Sequence, residues 1–276
     1  MSGWVLGLVL MGWVCLAGPG GAVAGELEHS PAQWRTLGKG LSFCQVEMLR
    51  DEEVAGSLAV VRIDPASNAF RVFHHAPQNI DVWQREVKAP VVFNASYYGR
   101  DDRPVGAVLV DGRLVGPARN PQMRGMFVAE PQGLSPDLPR ATILDLTSTR
   151  VSVQKLPWFQ GVQSFPLLLD AKGRIRVHKS DKTAHRTVIA TDYSGNILVF
   201  NTYRGAFTLH EFAQFLQDSD FEVEVALNLD GGTEAQLLIK TKDVEFSSPL
   251  SWEKQLGSLW DSRELRLPTV VAVFPR

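Results

Sequence analysis

The residues best suited to chemistry lie in three separated segments of this chain. The apolar run Ala226-Leu227-Asn228-Leu229 suits a buried strand and stops at Asp230-Gly231-Gly232. Where a strand ends, a rigid scaffold hands over to a loop, and side chains that must be held still are commonly set there. Paired glycines permit positive φ and leave backbone bare enough for a ligand to approach closely. The same string also suits a tight turn in which the Asp accepts its own backbone N–H groups. Just beyond, Glu234 either faces solvent or adds a second carboxylate, whose charge would raise one pKa into a useful range. Asn94 closes the apolar run Val91-Val92-Phe93 and offers both a donor and an acceptor, though it also fits an Asx turn. Arg186-Thr187 opens a third run. A planar guanidinium there matches phosphate or carboxylate, unless it is simply a surface arginine.

Short β-type runs must carry these groups. Leu58–Asp64, Phe70–His74, Val91–Phe93, Val223–Leu229 and Thr269–Phe274 read as strands. Asp111-Gly112 predicts a hairpin between Ala107–Val110 and Arg113–Val115. Two further hairpins are expected, one around Asp170–Gly173 and one around Ser194-Gly195-Asn196. Asn79–Val87 suggests a short helix capped by Asn79. A second helix is better signalled. Thr208 and Glu211 have capping-box spacing, Phe207 and Phe212 can staple the entry, and Leu209, Phe212, Ala213 and Leu216 share one face. Pro117–Pro139 is rich in Pro, Gly and polar residues and reads as a surface excursion. With no composition shift or repeat, the predicted fold class is α+β: a strand-rich single domain with a mixed β-sheet core and one or two packed helices.

A net charge of −2 and no Lys/Arg-rich run argue against nucleic acid or an anionic membrane as partner. The uncharged stretch Trp4–Ala17 is short for a bilayer span and leads to Ala22-Val23-Ala24, an A-x-A site. Residues 1–24 therefore read as a signal peptide cleaved before Gly25, although Met1-Ser2-Gly3 carries no Lys or Arg. Cys15 follows Gly12-Trp13-Val14, which departs from a lipobox. The protein is expected to be exported, periplasmic or secreted, with no membrane span once the signal is removed. Residues 25–56 form an N-terminal leader and first strand, and residues 57–276 the main domain. Only Cys44 remains after cleavage, so no intrachain disulfide can form, and it reads as a small buried apolar residue. No Cys/His spacing resembles a zinc site, so no metal ligand or cofactor is expected. Asp101-Asp102 could take a divalent cation but reads as solvated loop. Trp158, Phe159 and Tyr203 could stack on a sugar, although aromatics in such chains are mostly core. His74 and His75 read as structural.

Taken together, the ordered segments Asn94-Ala95-Ser96-Tyr97-Tyr98…Pro104-Val105-Gly106, Ser164-Phe165-Pro166-Leu167-Leu168, His185-Arg186-Thr187, Phe207-Thr208-Leu209…Glu211-Phe212 and Ala226–Gly232 resemble the phosphodiester glycosidase family. The resemblance runs from about Ser57 to the C-terminus. It implies an exported hydrolase that cleaves a sugar-1-phosphodiester, or a related cell-envelope glycan phosphate, at the anomeric carbon. It marks Asn94, Arg186, Thr187, Asp230, Gly231 and Gly232 as the site. Two departures stand out: Asn94-Ala95-Ser96-Tyr97-Tyr98 where the family commonly has Asn-Gly-Gly-Phe-Phe, and Thr233-Glu234-Ala235 where small and Ser residues commonly follow the glycines. The expected roles follow from the chemistry. Asp230 would face an oxocarbenium-like centre as nucleophile or base, with Glu234 beside it. Arg186 and the Gly231 and Gly232 N–H groups would hold phosphate, while Asn94 and Thr187 bind the substrate. The alternative is a non-catalytic glycan- or phosphate-binding envelope protein that keeps the pocket.

Overall fold

The computed structural model describes residues 25–133, 137–147, 152–249 and 266–276; the expected signal peptide lies outside them. In chain order the strands open with β1 (Leu27–His29), β2 (Arg35–Gly38), β3 (Leu41–Arg50), β4 (Glu53–Ile63) and β5 (Asn68–Asn79). Helix α1 (Ile80–Val87) follows, then β6 (Val91–Asn94), β7 (Val108–Val110), β8 (Arg113–Val115), β9 (Gly125–Pro131) and β10 (Ala141–Asp145). Next come β11 (Trp158–Ser164), β12 (Leu167–Leu169), β13 (Thr187–Asp192) and β14 (Ile197–Arg204). Helix α2 (Leu209–Asp218) leads to β15 (Val223–Asn228), β16 (Leu237–Lys240), β17 (Glu245–Ser248) and β18 (Arg266–Pro275).

These strands build three sheets. The first has eight strands in the order β1-β3-β4-β14-β13-β15-β12, with β2 added on β3. The second is β10-β9-β11-β7-β8 and the third β17-β16-β6-β18-β5. A central core takes residues from all three sheets, among them Val61, Phe93, Phe127, Ile189, Leu237 and Val271. Alternation along each strand divides its side chains between two interiors. In β4, Ala59, Val61 and Ile63 enter the central core, while Leu58 and Val60 face α2. In β18, Val271 and Val273 point to the centre and Val270 and Ala272 to α1. Strands covered on both faces must be apolar throughout, which is why these runs do not alternate in sequence.

The expected α+β class with a mixed sheet is corrected by this arrangement. Among the described residues two α-helices lie outside three sheets, and every strand pairing is antiparallel. Helix α2 connects strands β14 and β15. Both strands do run the same way, but β13 lies between them and pairs antiparallel with each. The surface excursion expected over Pro117–Pro139 is also corrected. Met126, Phe127, Val128 and Ala129 are buried in β9, a strand paired on both edges. Turn residues on either side hid a four-residue apolar run. The expected hairpins form at β7–β8 and β13–β14, and Leu169 bridges Ile175 around the Asp170 turn.

Both helices sit where their apolar faces require. Thr208 Oγ1 accepts from the Glu211 N–H at 3.1 Å, and the Glu211 carboxylate accepts from the Thr208 N–H at 3.2 Å. Phe207 and Phe212 lie 6.4 Å apart as the staple requires. Phe212, Phe215 and Leu216 are buried against the first sheet, each contributing roughly 1.5–3 kcal/mol over the exposed state. In α1, Asn79 occupies the N-cap position but its side chain makes no capping bond. Cys44 is buried as expected, and burial pushes its thiol up to about 12.

Candidate active site

The three chemical segments meet where the first and third sheets adjoin. Strand β15 ends at Asn228, and Leu229 donates its N–H to Thr187 O at 2.9 Å, so the strand end stays zipped to β13. Asp230 then crosses to the third sheet. Its N–H donates to Ala95 O at 3.2 Å, and its carbonyl accepts from Asn94 Nδ2 at 2.9 Å. Asn94 Oδ1 accepts from the Gln236 N–H at 3.1 Å. The Asn94 amide thus clamps both sides of the Asp230 loop, and its hydrogen bonds are made to backbone.

Gly231 and Gly232 are required by this path. A Cβ on Gly231 would lie 2.9 Å from His185 O and 3.6 Å from Arg186 Nη1. Gly232 has φ +74°, a conformation that L side chains rarely adopt. Neither N–H is left for a ligand: Gly231 donates to Asp230 Oδ1 at 2.9 Å and Gly232 to His185 O at 2.9 Å. The anion contacts expected of these glycines are therefore not available from their N–H groups.

Arg186 is 8% exposed. Its Nε donates to Phe207 O at 2.9 Å and its Nη2 to Lys182 O at 3.1 Å, which fixes the plane of the guanidinium. Its backbone N–H donates to Thr202 Oγ1 at 2.7 Å. Among the described residues it has no carboxylate partner, and the Tyr97 hydroxyl is within its electrostatic reach. Burial pushes its pKa down, yet a guanidinium remains a cation at any working pH. A mostly buried cation without a counter-ion is costly, and an anionic ligand would relieve that cost. Thr187 is separated from Arg186 by strand alternation. It is fully buried, and its hydroxyl accepts from Asn201 Nδ2 at 3.0 Å.

Asp230 and Glu234 are electrostatically coupled. Burial, reinforced by the Glu234 charge, raises the Asp230 pKa to about 7, against the pull of the Gly231 N–H. Glu234 closes a short 3-10 turn, Gly232–Glu234, and its Oε2 accepts from Thr233 Oγ1 at 2.9 Å. The pair consists of a carboxyl poised near neutrality and a second carboxylate near it.

Two tyrosines that sequence reasoning carried only as motif letters belong to the same cluster. Tyr97 Oη donates to Phe165 O at 2.9 Å and accepts from Asn228 Nδ2 at 2.9 Å. Burial first, then the charge of Asp230, raises its pKa, while Arg186 and Asn228 act the other way. Tyr98 Oη donates to Arg266 O at 3.1 Å, and burial together with Glu234 and Asp230 holds it protonated. The Ser96 hydroxyl is buried without a partner. The available signal was position: these residues directly follow Asn94, and the carbonyl of Ala95 holds Asp230. Other candidates lie elsewhere. Trp158 and Tyr203 pack in the core, His75 stacks on Trp83, and Asp101 pairs with Arg103. No group of three or more His, Cys, Asp or Glu that could hold a metal occurs among the described residues.

A family model described as phosphodiester glycosidase matches residues 87–274. Solved structures share the fold. The catalytic domain of zebrafish N-acetylglucosamine-1-phosphodiester alpha-N-acetylglucosaminidase, auto-inhibited by its pro-peptide, superposes with a TM-score of 0.59 at 18% identity, covering 91% of this chain and 89% of that one. A hypothetical protein from Synechocystis gives 0.56 at 18% identity over 90% of this chain, which spans 64% of that longer chain. A Burkholderia pseudomallei protein described as exported gives 0.56 at 11% identity, covering 90% and 97% of the two chains. Among curated proteins none matches the chain. No helix of the described residues is long and apolar enough to cross a membrane.

Proposed function

The chain belongs to the phosphodiester glycosidase family, and we propose on that footing that it hydrolyses a sugar-1-phosphodiester at the anomeric carbon. The products are a free sugar and a phosphomonoester. One observation carries the reading: a buried guanidinium with no carboxylate of its own lies against the loop of a carboxyl whose pKa sits near 7. The expected A-x-A site and the exported relative support an envelope or extracellular substrate.

The chemistry follows from these charges. C–O cleavage at the anomeric centre develops oxocarbenium character on the sugar and negative charge on the departing phosphate. Arg186 neutralises the phosphate charge in a site that needs no reorganisation at the moment of reaction. Phosphate leaves far more readily than an alcohol, so protonation of the leaving group contributes little. Asp230 serves as general base, taking a proton from the attacking water; a pKa near the working pH is the best compromise between ionisation and basicity. Glu234 adds negative charge that favours the cationic centre and keeps Asp230 basic. Asn94 and Thr187 act on geometry, the first by clamping the Asp230 loop and the second within the sheet that carries Arg186.

Release of reducing sugar from a sugar-1-phosphodiester tests this directly. Asp230→Asn is expected to remove turnover while leaving the fold intact. Arg186→Lys keeps the charge but loses the fork, and should lower kcat by about 10²-fold. Undiminished turnover in Asp230→Asn would overturn the assignment.

A further inference from the structure

We propose that Phe165 is the platform on which the pyranose ring of the substrate stacks, making it a specificity-determining residue of the site. The inference rests on the reading above that Arg186 holds the phosphate. Three large aromatic residues are substantially exposed among the described ones: Phe159, Tyr193 and Phe165. Phe159 lies over Gly112 in the second sheet, and Tyr193 sits in the β13–β14 turn, at the opposite end of β13 from Arg186. Phe165 alone is tied to the acid–guanidinium cluster.

The tie is made through backbone. Phe165 O accepts from Tyr97 Oη at 2.9 Å and from Asn228 Nδ2 at 3.2 Å. On one side Ser164 Oγ donates to Asn228 O at 2.7 Å, and on the other Pro166 O accepts from the Asn228 N–H at 2.9 Å. Residues 164–166 are therefore fastened to the strand end two positions before Asp230. Phe165 is 47% exposed. Val105, also exposed, donates its N–H to the Tyr97 carbonyl at 3.0 Å. A half-exposed apolar residue whose backbone is fastened to Tyr97 and Asn228 of this cluster suits a ligand with one charged and one less polar side. A sugar-1-phosphate is such a ligand: its phosphate goes to Arg186 and a C–H face of its ring to Phe165.

The test is calorimetric titration at pH 6 of wild type, Phe165→Ala, Phe165→Trp and Arg186→Ala with four probes. These are inorganic phosphate, butyl phosphate, glucose-1-phosphate and N-acetylglucosamine-1-phosphate. Wild type is expected to bind one of the two sugar phosphates more tightly than inorganic or butyl phosphate. Phe165→Ala should weaken that sugar phosphate by about fivefold, leave inorganic phosphate and butyl phosphate unchanged, and melt at the wild-type temperature; Phe165→Trp should retain the affinity. Equal affinity of Phe165→Ala for the sugar phosphate, an equal loss for butyl phosphate, or no sugar preference in wild type would each overturn the platform. Phosphate binding that ignores Arg186→Ala would instead overturn the phosphate site, so the two failures are told apart.

Discussion

Under the proposed function, Asp230 links stability to catalysis through a single carboxyl. Its folded pKa near 7 lies above the ordinary value of 3.8, so between those limits the native state binds more protons than the unfolded chain. Stability from this group is therefore greatest at acid pH and declines as the pH rises through 7. Asp230→Asn removes an ionised buried group and should stabilise the protein at pH 8 by on the order of 3 kcal/mol, with the gain vanishing near pH 4. Denaturant unfolding of both proteins at the two pH values checks this. A general base must be ionised to act, so kcat/KM should climb about tenfold per pH unit below 7 and level off above it. Glu234→Gln removes the neighbouring charge and should move that acidic limb to lower pH. Asp230 and Arg186 were legible in the sequence because each stands at the end of a strong strand signal. Tyr97 and Tyr98 were not, because nothing in their spacing reveals that strand β6 delivers them to the loop of a segment 130 residues away.

At the level of elements, helix α2 does more than cover the first sheet. The residue before its cap, Phe207, supplies the carbonyl that orients the Arg186 guanidinium. Thr208→Ala removes one of the two reciprocal cap bonds and should cost about 1 kcal/mol in denaturant unfolding. The Asp170 turn is a second local device. Burial pushes its carboxyl up, but hydrogen bonds from Arg174, Arg176 and the Lys172 N–H outweigh that and hold it below the usual range. This stabilisation is present above the unfolded carboxyl pKa and is lost as the pH falls. Asp170→Asn should therefore lower the melting temperature at pH 7, and the gap should narrow toward pH 3. Capping boxes and Asp-Gly turns are readable because their chemistry lies within a few residues. Strand partners are not readable in that way: β14 and β15, joined through α2, are separated by β13.

For the whole molecule, three antiparallel sheets enclose one core, and the site forms where a single loop passes from the first sheet to the third. Asn94, at the end of β6, and Arg186, just before β13, are brought together by that passage, not by sequence proximity. The short apolar runs showed that the chain is rich in buried strand. They could not reveal how many sheets result, since a strand covered on both faces reads alike in a mixed or an antiparallel sheet. On the proposed function, this junction cleaves the bond between the anomeric carbon and the phosphate oxygen. Hydrolysis of a sugar-1-phosphodiester in water enriched in oxygen-18, followed by mass spectrometry of both products, tests it most directly. The heavy oxygen is expected in the released sugar and none in the phosphomonoester; label in the phosphate would place the attack at phosphorus and rule out cleavage at the anomeric carbon.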